Sequence, residues 1–340
     1  MKLSSLKRFV PLCFGVLILV LVGATKVGWG EVFRIMSAAD FAGVAAVFLM
    51  MTATIGVKSV REKLFLQKIS KTAFSGLKPA QIFIVGVFSN EFLPTGSGEL
   101  ARAYIIKRLA KVGFGKPLAP LLIERSFDTF FLLLVALLGI NFLFSSQEAA
   151  AFASLMLVVA MSAFFFASIF KKNFASSAAG FAGSVAQGLA NALGVLKKAA
   201  HALRAKLEET GRSFEESRSL YVKDKTLLAQ TFLLTVLGWA VEGYVQQTLL
   251  AALGFKVDYF AAFAIVALAL LVGVFSFIPG GFGARDTAYA FFASLVGVPF
   301  EIGFSASVLY RAILYLWLAP TTAYSAWKLR SSVHEIEKAI

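Results

Sequence analysis

Charge, cysteine and histidine are all scarce in this chain, and each shortage closes off a class of chemistry. Only 15% of the 340 residues are charged, against roughly a quarter in soluble domains. A soluble domain of this size has to clothe its surface in polar groups, and a composition that is 59% hydrophobic leaves too few of them. The single cysteine, Cys13, has no partner for an internal disulfide. With only His201 and His334 beside it, no Cys/His metal centre and no Cys/His nucleophile can be assembled. The Gly-x4-Gly-Lys-Ser/Thr phosphate loop is missing too, and no cofactor is expected. Acidic residues are outnumbered 19 to 33, for a net charge of +14. That surplus does not indicate a nucleic-acid partner, because the basic residues cluster between apolar runs, where membrane orientation requires them.

The apolar residues come in long blocks. Several approach the ~20 residues needed to cross a hydrocarbon core. Phe9 to Ala24, preceded by Lys2, Lys7 and Arg8, reads as a signal anchor with a cytoplasmic N-terminus, a cleaved signal peptide being the alternative. Ala38 to Val57 is a second span. It is followed by Lys58, Arg61, Lys63, Lys68, Lys71 and Lys78 with Glu62 the lone acid, which reads as a cytoplasmic loop. Ile82 to Phe88 is too short to span and is interrupted by Asn90, Glu91, Pro94, Gly96 and Gly98 before the basic segment to Lys111, as in a re-entrant hairpin. Leu118 to Phe144 then runs outward, Ser145 to Glu148 turn, and Ala149 to Phe170 returns to Lys171 and Lys172. In the stretch 173–225, Leu189, Leu193, Leu196, Ala200, Leu203 and Leu207 oppose Lys197, Lys198, Arg204 and Lys206. That is an amphipathic helix, lying on the inner leaflet or packed on the protein. Leu227 to Leu253 spans outward, Phe260 to Ile278 ends in Pro279-Gly280-Gly281-Phe282-Gly283, and Gly303 to Trp327 returns to Lys328 and Arg330.

An internal repeat organises these segments. Val85-Gly86-Val87-Phe88-Ser89 matches Val272-Gly273-Val274-Phe275-Ser276, and each copy is followed by a Pro-x-Gly-x-Gly break, at Pro94 and at Pro279. Ala103-Tyr104 falls on Ala288-Tyr289 and, with one residue of slip, Arg125 on Arg311. Loop charges give the copies opposite orientation. The expected fold is thus an all-α polytopic membrane domain over 1–340, of about six spanning helices plus two re-entrant hairpins in an inverted repeat. The first repeat occupies 58–170 with its hairpin at 81–111, and the second occupies 226–330 with its hairpin at 260–298.

Charges inside such a domain are costly, about 2.5–3.5 kcal/mol each on insertion scales, and so mark ion pairs or a pathway. Asn90, Glu91, Glu99 and Arg102 flank the first break, and Glu124, Arg125 and Asp128 start the next span. Glu242 lies deep in another span, Arg285 and Asp286 follow the second break, and Arg311 sits in the last. All eleven are candidate substrate-binding groups. Arg102, Arg125, Arg285 and Arg311 are the expected anion clamp, since guanidinium grips phosphate in a fork. The competing reading is purely internal pairing, with Glu124 and Asp128 neutralising the adjacent Arg125.

The run Pro94-Thr95-Gly96-Ser97-Gly98-Glu99-Leu100-Ala101-Arg102, then Glu124-Arg125-Ser126-Phe127-Asp128, then Pro279 to Asp286, resembles the lysylphosphatidylglycerol synthase transmembrane-region family. That family includes the lipid-flipping domain of multiple peptide resistance factor proteins. The resemblance covers nearly the whole chain and implies movement of a lipid with a phosphate-bearing head group between leaflets. In two respects the sequence departs from the pattern. Asp286 stands where the family commonly has glutamate, and no aminoacyl-transferase segment follows Lys328 to Ile340, so lysyl-lipid synthesis is not implied. The reading is a non-enzymatic lipid flippase in the cell membrane, its partners the bilayer and a lipid substrate. Two alternatives stay open, an embedded enzyme acting on a lipid phosphate or lipid-linked substrate and a non-catalytic subunit of an envelope complex. A homo-oligomer is compatible with a sequence that carries no signal for or against one.

Overall fold

The computed structural model describes residues 10–93, 97–143, 160 and 197–338, and every regular element among them is helical. Helix α1 (Val10–Val22) passes through a π turn at Gly23–Val27 into α2 (Trp29–Ser37), bent by 86° at Gly28, whose φ of 86° suits glycine. Helix α3 (Phe41–Ile69) starts where the Asp40 carboxylate accepts the Gly43 amide at 2.8 Å. Then come α4 (Lys78–Phe92), α5 (Ser97–Ala110) and α6 (Gly115–Leu143), and, after the undescribed stretch, α7 (Lys197–Lys223), α8 (Lys225–Ala252) and α9 (Tyr259–Phe275). A 3-10 turn at Pro279–Gly281 leads to α10 (Ala284–Ser294), and α11 (Phe300–Lys338) ends the chain. Among the described residues, α3, α8 and α11 are each long and apolar enough to cross a membrane, and the bent α1–α2 pair is a fourth candidate.

The distribution of side chains is that of a membrane protein. Large apolar groups face outward, such as Phe41, Leu49, Leu233, Phe260 and Leu316, while Arg61, Glu62, Arg102, Glu124, Asp286 and Arg311 are buried. Lipid rather than water must meet such a surface.

One sequence expectation is corrected here. Arg61 and Glu62 do not lie in a loop after a span ending at Val57, because α3 runs on unbroken to Ile69. No proline interrupts Lys58 to Ile69, and its lysines, arginine, glutamate, glutamine and leucines all propagate a helix. Both charged side chains therefore enter the bundle. The expected outer turn at 145–148, the returning span at 149–170 and the first half of the amphipathic segment lie outside the described residues. Its second half is α7, which packs on the protein: Ser217 Oγ donates to the Lys116 carbonyl at 2.9 Å and the Tyr221 hydroxyl to that of Phe65 at 2.8 Å. Asp224 then caps α8 through the Leu227 amide and pairs with Lys68 at 2.5 Å.

Two helical hairpins stand out. In the first, α5 folds back along α4. Ser97 Oγ donates to the Ser89 carbonyl at 2.9 Å, and the Gly98 amide donates to Asn90 Oδ1 at 2.9 Å. A side chain at Gly86 would strike the Arg102 stem, so glycine is what lets these arms close. In the second, α10 folds back along α9, and Gly280, Gly281 and Gly283 all take positive φ in the turn. There the counterpart glycine, Gly273, lies against Arg285, Cβ to Cβ at 3.2 Å were it an alanine.

Candidate functional site

The bundle holds three buried polar groupings, and the eleven predicted residues divide among them.

The first is a closed ionic cluster at the basic ends of α3, α5 and α6. Arg61 Nη1 donates to Asp128 Oδ1 and Nη2 to Glu124 Oε1, at 2.9 and 2.8 Å. Nη1 also reaches Thr235 Oγ1 at 2.7 Å. Arg102 Nη2 donates to Glu124 Oε2 at 2.6 Å and pairs with Glu62 as well. Trp239 Nε1 donates to Asp128 Oδ1 at 3.1 Å. Two guanidinium groups thus share three carboxylates, and Arg102 lies over the Phe83 ring at 5.3 Å. Arg61 and Glu62 were not among the predicted residues. The available signal was Glu62 itself, an acid with no other acid near it in a basic run.

This cluster corrects the pairing expected for Arg125. Residues 124 and 128 share a helix face, and 125 is turned about 100° away. Its side chain is 47% exposed and pairs with Glu99 across the hairpin, Nε to Oε1 at 2.6 Å. Asn90 Nδ2 also donates to that oxygen, at 3.2 Å. Glu124 and Asp128 are neutralised by Arg61 and Arg102 instead.

The second grouping lies where the two hairpin tips meet on α11. Arg311 Nε donates to Asp286 Oδ1 at 2.7 Å and Nη2 to the Gly280 carbonyl at 2.9 Å. Nη1 donates to the Tyr315 hydroxyl at 3.0 Å, and that hydroxyl donates to Glu91 Oε2 at the tip of α4, also at 3.0 Å. Asp286 further accepts from Ser307 Oγ at 2.6 Å and from the Gly283 amide at 2.9 Å. The Arg311 guanidinium stacks over Phe282 at 4.4 Å, and Phe92 packs on Tyr315 at 5.2 Å. Arg311 has no carboxylate near it in sequence, yet two face it in space. Tyr315, one turn beyond Arg311, also went unpredicted.

The third comprises Glu242 and Gln246 of α8, Arg285 and Tyr289 of α10 and Tyr310 of α11. Gln246 Nε2 donates to Glu242 Oε1 at 2.9 Å. Arg285 lies over the Tyr310 ring at 5.3 Å. The four arginines expected to form one clamp are therefore split: Arg102 in the first grouping, Arg311 in the second, Arg285 in the third and Arg125 at the surface. Among the described residues no three His, Cys, Asp or Glu side chains are arranged to hold a metal ion.

With this geometry in view, the comparisons with known proteins become specific. The family model described as the lysylphosphatidylglycerol synthase TM region matches residues 8–320. The chain belongs to this family. That match takes in all three groupings and both hairpins. Two curated members of similar sequence are archaeal. A UPF0104 membrane protein of Methanothermobacter thermautotrophicus is 25% identical over 257 residues, covering 72% of this chain and 73% of the relative. One from Pyrococcus horikoshii is 23% identical over 325 residues, covering 92% and 94%. No solved structure matches the chain.

Proposed function

We propose that this protein moves a lipid with a phosphate-bearing head group between the leaflets of the cell membrane. The observation that carries the reading is the meeting of two broken-helix hairpins at one buried polar junction, Glu91–Tyr315–Arg311–Asp286. Broken helices free backbone groups at membrane depth, and junctions of inverted repeats are where transporters hold polar cargo. A head group needs a polar route through the protein, while its chains need an apolar flank, which the outward-facing phenylalanines and leucines supply. In this reading both hairpins re-enter without crossing, the repeats are inverted, and both termini are cytoplasmic because the basic residues collect on one side. The eleven charged and amide residues named from sequence divide into scaffold (Glu124, Asp128, Arg102) and pathway (Glu91, Asp286, Arg311, with Arg285 and Glu242 beside them). Asn90, Glu99 and Arg125 pin the first hairpin at its mouth.

The test is reconstitution into liposomes carrying a fluorescent phospholipid, with bleaching of the outer leaflet. Protein-containing vesicles should lose the protected fraction far faster than empty ones, and equal rates would refute translocation. Topology is checked in a Cys13→Ser background. Cysteines at Ser70, Ser184 and Ser332 should label from the cytoplasmic side and one at Ser146 only from outside. A cysteine at Ser97 should be reachable only from within and one at Phe282 only from outside. Labelling of Ser97 from outside would refute the inverted repeat.

A further inference from the structure

Among the buried arginines Arg285 is the exception. Arg61, Arg102 and Arg311 each engage both a carboxylate and at least one further donor–acceptor contact, whereas Arg285, 8% exposed, donates no hydrogen bond and lies in no salt bridge among the described residues. Its neighbour Asp286 is fully committed to Arg311, Ser307 and the Gly283 amide. The other nearby acid, Glu242, is held by the neutral donor Gln246. One helical turn along α10, Tyr289 is 2% exposed and its hydroxyl also has no partner among the described residues. Arg285 lies over the Tyr310 ring at 5.3 Å, which brings the second hairpin's arginine against α11. A guanidinium without a hydrogen bond inside a membrane protein is costly to keep, and buried donors left unmatched add to the cost.

We propose that Arg285 and Tyr289 form an oxyanion site that takes the monoanionic phosphodiester of a membrane lipid. Guanidinium offers a fork to two phosphate oxygens, and the tyrosine hydroxyl donates to one of them. One guanidinium with unengaged donors matches one phosphodiester charge. The nearby Glu242 carboxylate opposes a second, which disfavours phosphomonoester dianions. Arg61 and Arg102 do not hold the head group, because their Nη donors are already engaged. This assignment rests on the lipid reading above only for the choice of a lipid phosphate over a free one.

Binding is measured by titration calorimetry on the full chain in an uncharged detergent, with dioctanoyl phosphatidylmethanol, dioctanoylglycerol and inorganic phosphate as probes. The phosphodiester should bind at least tenfold tighter than the uncharged glyceride. Arg285→Gln should erase that preference, Tyr289→Phe should reduce it severalfold, and Arg34→Gln, from an exposed surface pair, should leave it unchanged. A preference intact in Arg285→Gln overturns the site. If that variant does not fold, Tyr289→Phe decides, and an unchanged preference there overturns it equally. Inorganic phosphate binding as tightly as the lipid overturns the assignment to a lipid. Selective binding without acceleration in liposomes leaves the site standing and refutes translocation. Acceleration undiminished by Arg285→Gln does the reverse.

Discussion

The Arg61–Glu62–Arg102–Glu124–Asp128 cluster and the Arg285 pocket contain the same kinds of group at similar burial, and they differ in completeness. In the first, both guanidinium groups have their Nη atoms engaged, and only Nε of each arginine and Oε1 of Glu62 lack partners. In the second, a guanidinium has no hydrogen bond among the described residues. A closed set of charges joins helices and has little left for a ligand. An open one leaves unmet donors that a ligand can satisfy. Burial and charge alone therefore do not mark a binding residue; the state of its hydrogen bonds does.

Breaking the closed cluster should have the largest effect. Glu124→Gln with Arg125→Gln and Asp128→Asn neutralises two of the three carboxylates that face Arg61 and Arg102 and leaves both cations buried. A loss of at least about 3–5 kcal/mol is expected, seen as failure to unfold cooperatively in detergent. Restoring Arg125 should not rescue it, because Arg125 serves Glu99; rescue would put the pairing back with Arg125.

A single substitution sharpens the contrast. Arg102→Gln strands Glu62 and half of Glu124 and should cost about 3–5 kcal/mol by thermal unfolding. Arg285→Gln breaks no hydrogen bond and should shift stability by no more than about 1 kcal/mol. Equal losses in the two would erase the distinction between scaffold and site. Tyr315→Phe, which cuts the link between Arg311 and Glu91, should cost about 0.5–1.5 kcal/mol and slow lipid transfer severalfold. An unchanged rate would remove the junction from the pathway.

The smallest effect lies at the surface. The Lys68 hydrogen bond, then the Leu227 amide, holds the Asp224 carboxyl below its ordinary value. A carboxyl lowered on folding stabilises the protein above its unfolded value, about 4, and that contribution is lost as pH falls through the folded value. Asp224→Asn should therefore melt slightly earlier than the parent at pH 7, with the gap closing on acidification below about 4.

Much of the scaffold could be read from the chain. Long apolar runs correspond to α6, α8 and α11, and the second Pro-x-Gly-x-Gly break, Pro279 to Gly283, corresponds to a hairpin turn, because glycine and proline act locally. The site was less legible, for two physical reasons. Arg61 and Glu62 sit in a basic run, and a helix that continues past the apolar segment carries such charges inward with no change in composition. Partners are also distant in sequence: Arg61 meets Thr235 across 174 positions, and Tyr315 meets Glu91 across 224. Adjacency misled where rotation about the helix separates neighbours, as between Glu124 and Arg125. No one-dimensional pattern distinguishes Arg285, whose partners are missing, from Arg311, whose partners come from two other elements.

The most direct test is the leaflet-transfer rate of liposomes holding equal amounts of folded wild-type and Arg285→Gln protein. The account predicts at least a tenfold loss of rate in the variant with its melting temperature nearly unchanged. A wild-type rate from folded Arg285→Gln protein would contradict it.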